Sequence, residues 1–264
     1  MGNETKRAHR IAVLSGKGGV GKTVITANLA ARLSSGGRRV LVVDADLGLA
    51  NLDILLDVEP EFTMLDALYG TQSPETVVVH TSKGFDLLPG GSGLPEGTTL
   101  TRGLSEGIES ILSSIENRYD VILFDAGAGV GDVVLFFASI ADEILLVATP
   151  EPTSLMDSYA TIKILNQEYG KNDFLLIVNQ ANPANFTQVG GAVVGHLQNV
   201  ISRFIDSEQK KPVRVELVGS IPLDPAVPQA IRRRQLLSET SPESPSTYIL
   251  NNLADYIRTH ITPC

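Results

Sequence analysis

An apolar run that ends in a glycine-rich loop and then opens a helix is the feature that most restricts this chain. Ile11–Ser15 reads as a short buried strand. Gly16-Lys17-Gly18-Gly19-Val20-Gly21-Lys22-Thr23 follows it, and Thr23–Ser35 reads as a helix with Ile25, Leu29 and Leu33 on one face and Gly36-Gly37 as its stop. The loop fits G-x-x-x-x-G-K-[ST] in the strand–loop–helix setting that this pattern needs. Its glycines let successive backbone N–H groups turn inward around phosphate oxygens, and the amino end of the helix adds partial positive charge. Lys22 is placed to neutralise the outer phosphates, and the Thr23 hydroxyl to ligate Mg²⁺. A glycine-rich turn without chemistry is the plainer alternative, and the joint match of strand, loop and helix speaks against it.

The remaining chain alternates strand and helix. Val40–Asp44, Phe85–Leu88, Val121–Phe124, Ile144–Ala148 and Phe174–Val178 are apolar runs, as expected of strands covered on both faces. Val213–Ile221 alternates more and reads as a further strand. Helices are expected over Phe62–Tyr69, Leu104–Asn117, Ser154–Tyr169, most of Phe186–Asp206, and from Ser244-Pro245 to about His260. Such alternation predicts a three-layer α/β/α fold around a mainly parallel sheet, with residues 1–264 as one domain and 1–9 as a flexible segment. Pro89–Thr99 and Ser238–Ser246 are turn-rich surface connections.

Several strand ends carry polar residues where an open parallel sheet binds ligands. Asp44 and Asp46 close the second strand, and two acids so spaced can divide metal support and water positioning between them; a capped, solvated turn is the alternative. Asp125 closes an apolar strand as a Walker-B aspartate does, placed to bind the Mg²⁺ shell. Asn179 ends another strand, and its amide can both donate to and accept from a base edge. Lys17 is a second lysine that an ordinary phosphate loop does not need. It is either a solvated surface lysine or one that reaches a nucleotide, including that of a second copy of the chain.

Lys17-Gly18-Gly19-Val20-Gly21-Lys22-Thr23 resembles the deviant Walker motif of the MinD/ParA ATPases, and the resemblance runs through nearly the whole chain. The wording of Asp46–Asp53 and of Pro150–Asp157 is similar to that of MinD and the flagellar-number regulators (FleN/FlhG). The resemblance implies an ATP- and Mg²⁺-dependent switch. Two chains would sandwich two ATP, Lys17 of each would contact the other's ATP, and hydrolysis would release the pair. By the same resemblance Lys17, Lys22 and Asp46 are catalytic, with Asp46 positioning the hydrolytic water, and Gly16 to Thr23 bind nucleotide. Asp44 would support the metal held by Thr23 and Asp125, and Gly127 would offer its N–H to the γ-phosphate. Asn51 would lie at the dimer face and bind near the nucleotide, and Glu151 would face the partner and its nucleotide, although an acid at a helix amino end is also favoured by the dipole. Asn179 would hydrogen-bond adenine, and the backbone near Pro222 would close over the base. The biological task implied is control of flagellar number and placement or of division-site position, with a regulatory protein as partner.

Charge and cysteine content bound the rivals. The 30 acids outweigh 21 Lys and Arg, a net charge of −9, which disfavours a DNA-coating partition ATPase without removing it. Arg232-Arg233-Arg234 with Lys210 and Lys211 could form an anionic-polymer or lipid patch; a solvated helix face is the simpler reading. Cys264 is the sole cysteine, so no disulfide framework forms within a chain, a reducing cytosol suits it, and an iron–sulfur carrier is poorly supplied. A non-enzymatic adaptor would not need Asp46 and Lys17. His9, His80, His196 and His260 show no ligand spacing. Leu250, Leu253, Ala254, Ile257 and Ile261 form a core-docking stripe, and the last helix is too poor in Lys and Arg for a clear membrane anchor. The expected location is therefore cytoplasmic, a peripheral place at the inner membrane face being the alternative. Departing from the flagellar-number pattern, the amino end lacks an Asp-Gln-Ala activation segment.

Overall fold

The computed structural model describes residues 7–48, 51–91, 100–206 and 211–260. Cys264, Ile261 and Lys210, and most of the Pro89–Thr99 connection, lie outside them. In chain order the strands are β1 (His9–Ser15), β2 (Val40–Ala45), β3 (Val79–His80), β4 (Asp86–Leu88), β5 (Val121–Ala128), β6 (Glu143–Ala148), β7 (Asp173–Ala181) and β8 (Arg214–Pro222). The helices are α1 (Lys22–Ser35), α2 (Leu52–Leu56), α3 (Met64–Leu68), α4 (Arg102–Ile115), α5 (Asp132–Ile140), α6 (Pro152–Tyr169), α7 (Phe186–Phe204), α8 (Ala226–Arg232), α9 (Leu237–Thr240) and α10 (Pro245–His260).

The strands form one sheet in the order β3-β4-β2-β5-β1-β6-β7-β8. Among the described residues only the β3–β4 pair is antiparallel. Alternate residues of each strand feed opposite cores. Ala12, Leu14, Ile122 and Phe124 join Met64, Ile108, Phe137, Ile162 and Val193 on the face covered by α3 to α7. Ile11, Val13, Val121 and Leu123 join Leu29, Leu52, Ala230, Leu237 and Leu253 on the face covered by α1, α2 and α8 to α10. This is the expected three-layer, mainly parallel fold. Val213–Ile221 alternates because β8 is an edge strand. The described part of the last stripe is buried, with Leu250, Leu253, Ala254 and Ile257 docked in the second core.

Four helices escape the pattern reading. Helix α5 is apolar almost throughout, so it shows no polar face to give it away; Phe137 packs against Phe124 of β5 with ring centroids 5.0 Å apart and the rings tilted by 48°. Helices α2, α8 and α9 have seven residues or fewer. No helix among the described residues is long and apolar enough to cross a membrane. Lys211 precedes β8 in the chain and the arginine run follows it: Lys211 bonds Asp173 at 3.1 Å, and Arg234 bonds Asp57 at 2.7 Å. They do not make one patch.

Candidate nucleotide site

Strand β1 lies between β5 and β6, while the helix that follows it leads to β2 on the far side of β5. The loop Gly16–Gly21 therefore occupies the crevice where strand order reverses, the ligand-binding position of open α/β sheets. The loop is tied on two sides. Ser15 Oγ donates to the Lys17 carbonyl at 2.7 Å, and Gly129 N–H donates to Ser15 O at 2.9 Å. Gly21 has a left-handed φ of 97° and is the N-cap of α1, so a residue without Cβ is needed there. Gly16 rests on α6: a Cβ added to it would lie 2.4 Å from Asp157 Cβ.

Carboxylates gather beneath this loop. Asp44 and Asp125 are direct neighbours across the β2–β5 pair, and both are buried. Burial, then the charge of Asp125, pushes the Asp44 carboxyl up to about 7. Burial also pushes Asp125 up to about 6, against the Thr23 hydroxyl, Lys22 and Thr26, whose Oγ1 donates to Asp125 Oδ1 at 3.0 Å. Lys22 is pulled below the usual lysine value by burial, opposed by the charges of Asp125 and Asp46. Strand β2 stops at Ala45, so Asp46 leaves the strand alternation, and its Oδ2 comes within 3.4 Å of where a Gly127 Cβ would stand. Lys22, Thr23, Asp44, Asp46, Asp125 and Gly127 thus converge.

Asp44 is capped, as one alternative had it, but it is not solvated. Its Oδ2 accepts from Asn51 and Leu52 N–H at 3.1 and 3.2 Å, and its Oδ1 from Asp46 N–H at 3.2 Å. It pins the segment that carries Asp46 and Asn51, the latter exposed at the start of α2. The donors here are carboxylate and hydroxyl oxygens, a hard set that suits Mg²⁺. Crowded buried carboxylates whose pKa values burial raises are also a site whose charge a divalent cation would relieve.

Lys17 stands in different company. Its Nζ bonds Glu151 Oε2 at 2.8 Å, and this bond and the Glu151 charge raise its pKa. Both side chains are exposed. Glu151 is the N-cap of α6, yet its carboxylate makes no cap bond and turns to Lys17. Asn179 and Pro222 lie on the other flank, at the ends of β7 and β8. The Asn179 amide is engaged within the chain: Nδ2 donates to Val20 O at 2.7 Å, and Oδ1 accepts from Gln180 N–H at 2.9 Å. Two residues of this site carry no motif that would have singled them out, Thr26 on Asp125 and Gln180 on the loop; Asp157, which backs Gly16, ends the Pro150–Asp157 segment but has no role assigned to it.

Residues 6–258 match the family described as ParA: NUBPL iron-transfer P-loop NTPase. The chain is 37% identical over 247 residues to the antiactivator FleN of Pseudomonas aeruginosa, covering 94% of this chain and 85% of FleN. It is 33% identical to the flagellum site-determining protein YlxH of Helicobacter pylori, covering 92% and 80% of the two chains. The septum site-determining protein MinD of Pyrococcus horikoshii, solved with Mg-ADP, superposes with a TM-score of 0.70 at 26% identity, covering 95% of this chain and 96% of that one. Phosphate loop, sheet order and relatives agree: the chain belongs to the MinD/ParA family of P-loop ATPases.

Proposed function

We propose that this chain, acting as a single ATPase unit, is an ATP-dependent dimerising switch that hydrolyses ATP to ADP and phosphate and serves spatial regulation in a bacterial cell. Flagellar number and placement is the reading its FleN and YlxH relatives favour. The observation that carries it is the separation of the two loop lysines. Lys22 is sunk among Asp125 and Asp46, whereas Lys17 is exposed and held by Glu151. One lysine serves the chain's own phosphates, and the other is available to a second molecule.

In this reading Gly16 to Thr23 wrap the phosphates, and Lys22 faces the outer ones. Thr23 and Asp125 hold Mg²⁺, with Asp44 supporting them. Bound Mg²⁺ supplies charge neutralisation on the phosphate oxygens. Asp46 orients the attacking water, and Gly127 offers its N–H to the γ-phosphate. Asn179 and the backbone at Pro222 flank the base. Asn51 and Glu151 belong to the face that meets the second copy. Apolar side chains lie exposed near these residues in the chain: Ile54 of α2, Val130 in the loop after β5 and Met156 of α6 are 58%, 38% and 60% exposed.

Sedimentation with Mg²⁺ and a non-cleavable ATP analogue tests the reading. The wild type should dimerise, and Lys17→Ala should bind the analogue yet stay monomeric. A wild type that remains monomeric at every concentration, or a Lys17→Ala variant that pairs at normal strength, refutes it.

A further inference from the structure

The end of β7 contains one residue too many for its partner. Val178 pairs with Ser220 and Ala181 with Pro222, so three steps on β7 oppose two on β8. The bulge falls on Asn179-Gln180, and Gln180 takes a left-handed φ of 58° that a non-glycine residue rarely adopts. Bulges and backbone strain of this kind re-aim side chains beside functional sites. Here both amides are turned onto the phosphate loop. Asn179 Nδ2 donates to Val20 O at 2.7 Å, and Gln180 Nε2 donates to Gly19 O at 3.2 Å. Asn179 Oδ1 closes the arrangement by accepting from Gln180 N–H at 2.9 Å.

We infer that the Asn179–Gln180 bulge is a clasp that presets the phosphate loop, with Gln180 a positioning residue for nucleotide binding. The inference rests on the proposed nucleotide site. A trans peptide is planar, with its C=O and N–H pointing in opposite directions. Holding the Gly19 carbonyl outward therefore turns the Val20 N–H the other way, and holding the Val20 carbonyl does the same for the Gly21 N–H. Those N–H groups are the ones a phosphate loop offers to its anion. Glycine-rich backbone has many other conformations available, and the two amide bonds remove them before the ligand arrives. Because Gln180 acts on the loop backbone and not on the γ-phosphate that distinguishes the two nucleotides, it should serve ADP and ATP alike.

Two substitutions test this. Gln180→Glu keeps the side-chain length but replaces the donor with an acceptor that repels the Gly19 carbonyl. Gln180→Gly removes the side chain and relieves the left-handed strain, so it remains informative even if Gln180→Glu folds poorly. In calorimetric titrations with Mg-ADP, Gln180→Gly should bind about fivefold more weakly, the effect of one neutral hydrogen bond, and Gln180→Glu at least as weakly. In turnover assays KM for ATP should rise by the same factor, while kcat at saturation stays within about twofold of wild type. A merely structural residue would lower the melting temperature and leave KM in place, which would overturn the clasp. Wild-type affinity in both variants would overturn it too. A wild-type chain that binds no Mg-nucleotide would overturn the proposed site itself, and the clasp with it.

Discussion

Replacing Asp125 by Asn separates two consequences of the buried acid cluster. Asp125 is 4% exposed, and its carboxyl is pushed from 3.8 to about 6, chiefly by burial. At 1.36 kcal/mol per pH unit, that difference corresponds to about 3 kcal/mol that the ionised side chain takes from stability at neutral pH. Asn has the same shape and keeps an oxygen for the Thr26 hydroxyl at 3.0 Å. Its NH₂ faces Thr23, whose hydroxyl must then accept instead of donate; reversing that bond costs roughly 1–2 kcal/mol. The variant also removes the charge that is the second cause of the raised Asp44 pKa. A net gain of about 1–2 kcal/mol remains, and at about 2–4 °C per kcal/mol the nucleotide-free variant should melt about 2–8 °C above wild type at pH 7.5.

The pH dependence has a definite sign. An acid with a raised folded pKa keeps its proton in the folded chain where the unfolded chain has lost it. The nucleotide-free wild type is therefore most stable at acid pH with respect to these groups. It loses stability as pH rises from about 4 through about 6 for Asp125 and about 7 for Asp44, and is flat above. Asp125→Asn should show a shallower slope in that window. With Mg-ATP the order should invert: the wild type gains stability by ligand binding, and the variant, lacking the proposed metal ligand, gains little. Differential scanning calorimetry from pH 5 to 8, with and without Mg-ATP, reads both effects. A variant that melts below wild type without ligand, or that shows the full Mg-ATP rise, would refute the reasoning.

Asp46→Ala should bind ATP and accumulate as the dimer with turnover reduced at least a hundredfold, since water positioning is lost while the phosphate contacts remain; phosphate release at the wild-type rate removes Asp46 from the reaction. Gly16→Ala would place a Cβ 2.4 Å from Asp157 Cβ and 2.5 Å from its backbone carbon, so α6 must shift. It should cost about 1–3 kcal/mol in urea unfolding and weaken nucleotide binding; an unchanged midpoint would show that the loop and α6 are not in rigid contact.

Legibility from sequence follows the range over which each structural cause acts. The strands beside the loop were readable because burial on both faces leaves nearly unbroken apolar runs, as in Val121–Phe124 and Ile144–Ala148. Helix α5 was not, since a helix that is apolar nearly all round has no polar stripe to set its period. Asp44 and Asp125 were visible as acids at strand ends, but their adjacency depends on β2 and β5 being neighbours, which residue order along the chain does not encode. The alternation that would align Asp44 with Asp46 fails because β2 ends one residue earlier than Asp46 requires. The bulge at Asn179-Gln180 leaves no trace in the sequence, because an extra residue in a ladder is defined by the partner strand and not by its own.

The Lys17–Glu151 pair brings together residues 134 apart in the chain, and its exposure decides how it can behave. Solvent screens an ion pair on the surface, so it holds Lys17 in place without holding it strongly. Glu151 raises the lysine's pKa, so Lys17 stays charged and can leave its partner with no change in protonation. In the proposed dimer, a triphosphate presented by a second chain would carry several negative charges where Glu151 carries one, and it would lie in a closing interface from which water is removed. Both differences favour transfer of Lys17 to the nucleotide. The exchange leaves Glu151 without its cation, and an unpaired carboxylate trapped at an interface opposes association. Glu151 must therefore find new donors on the partner or its nucleotide, or remain in water at the rim. In either case the proposed pairing would give up the contact that holds Lys17 in the solitary chain, and the strength of dimerisation should then follow how many phosphate charges the nucleotide retains.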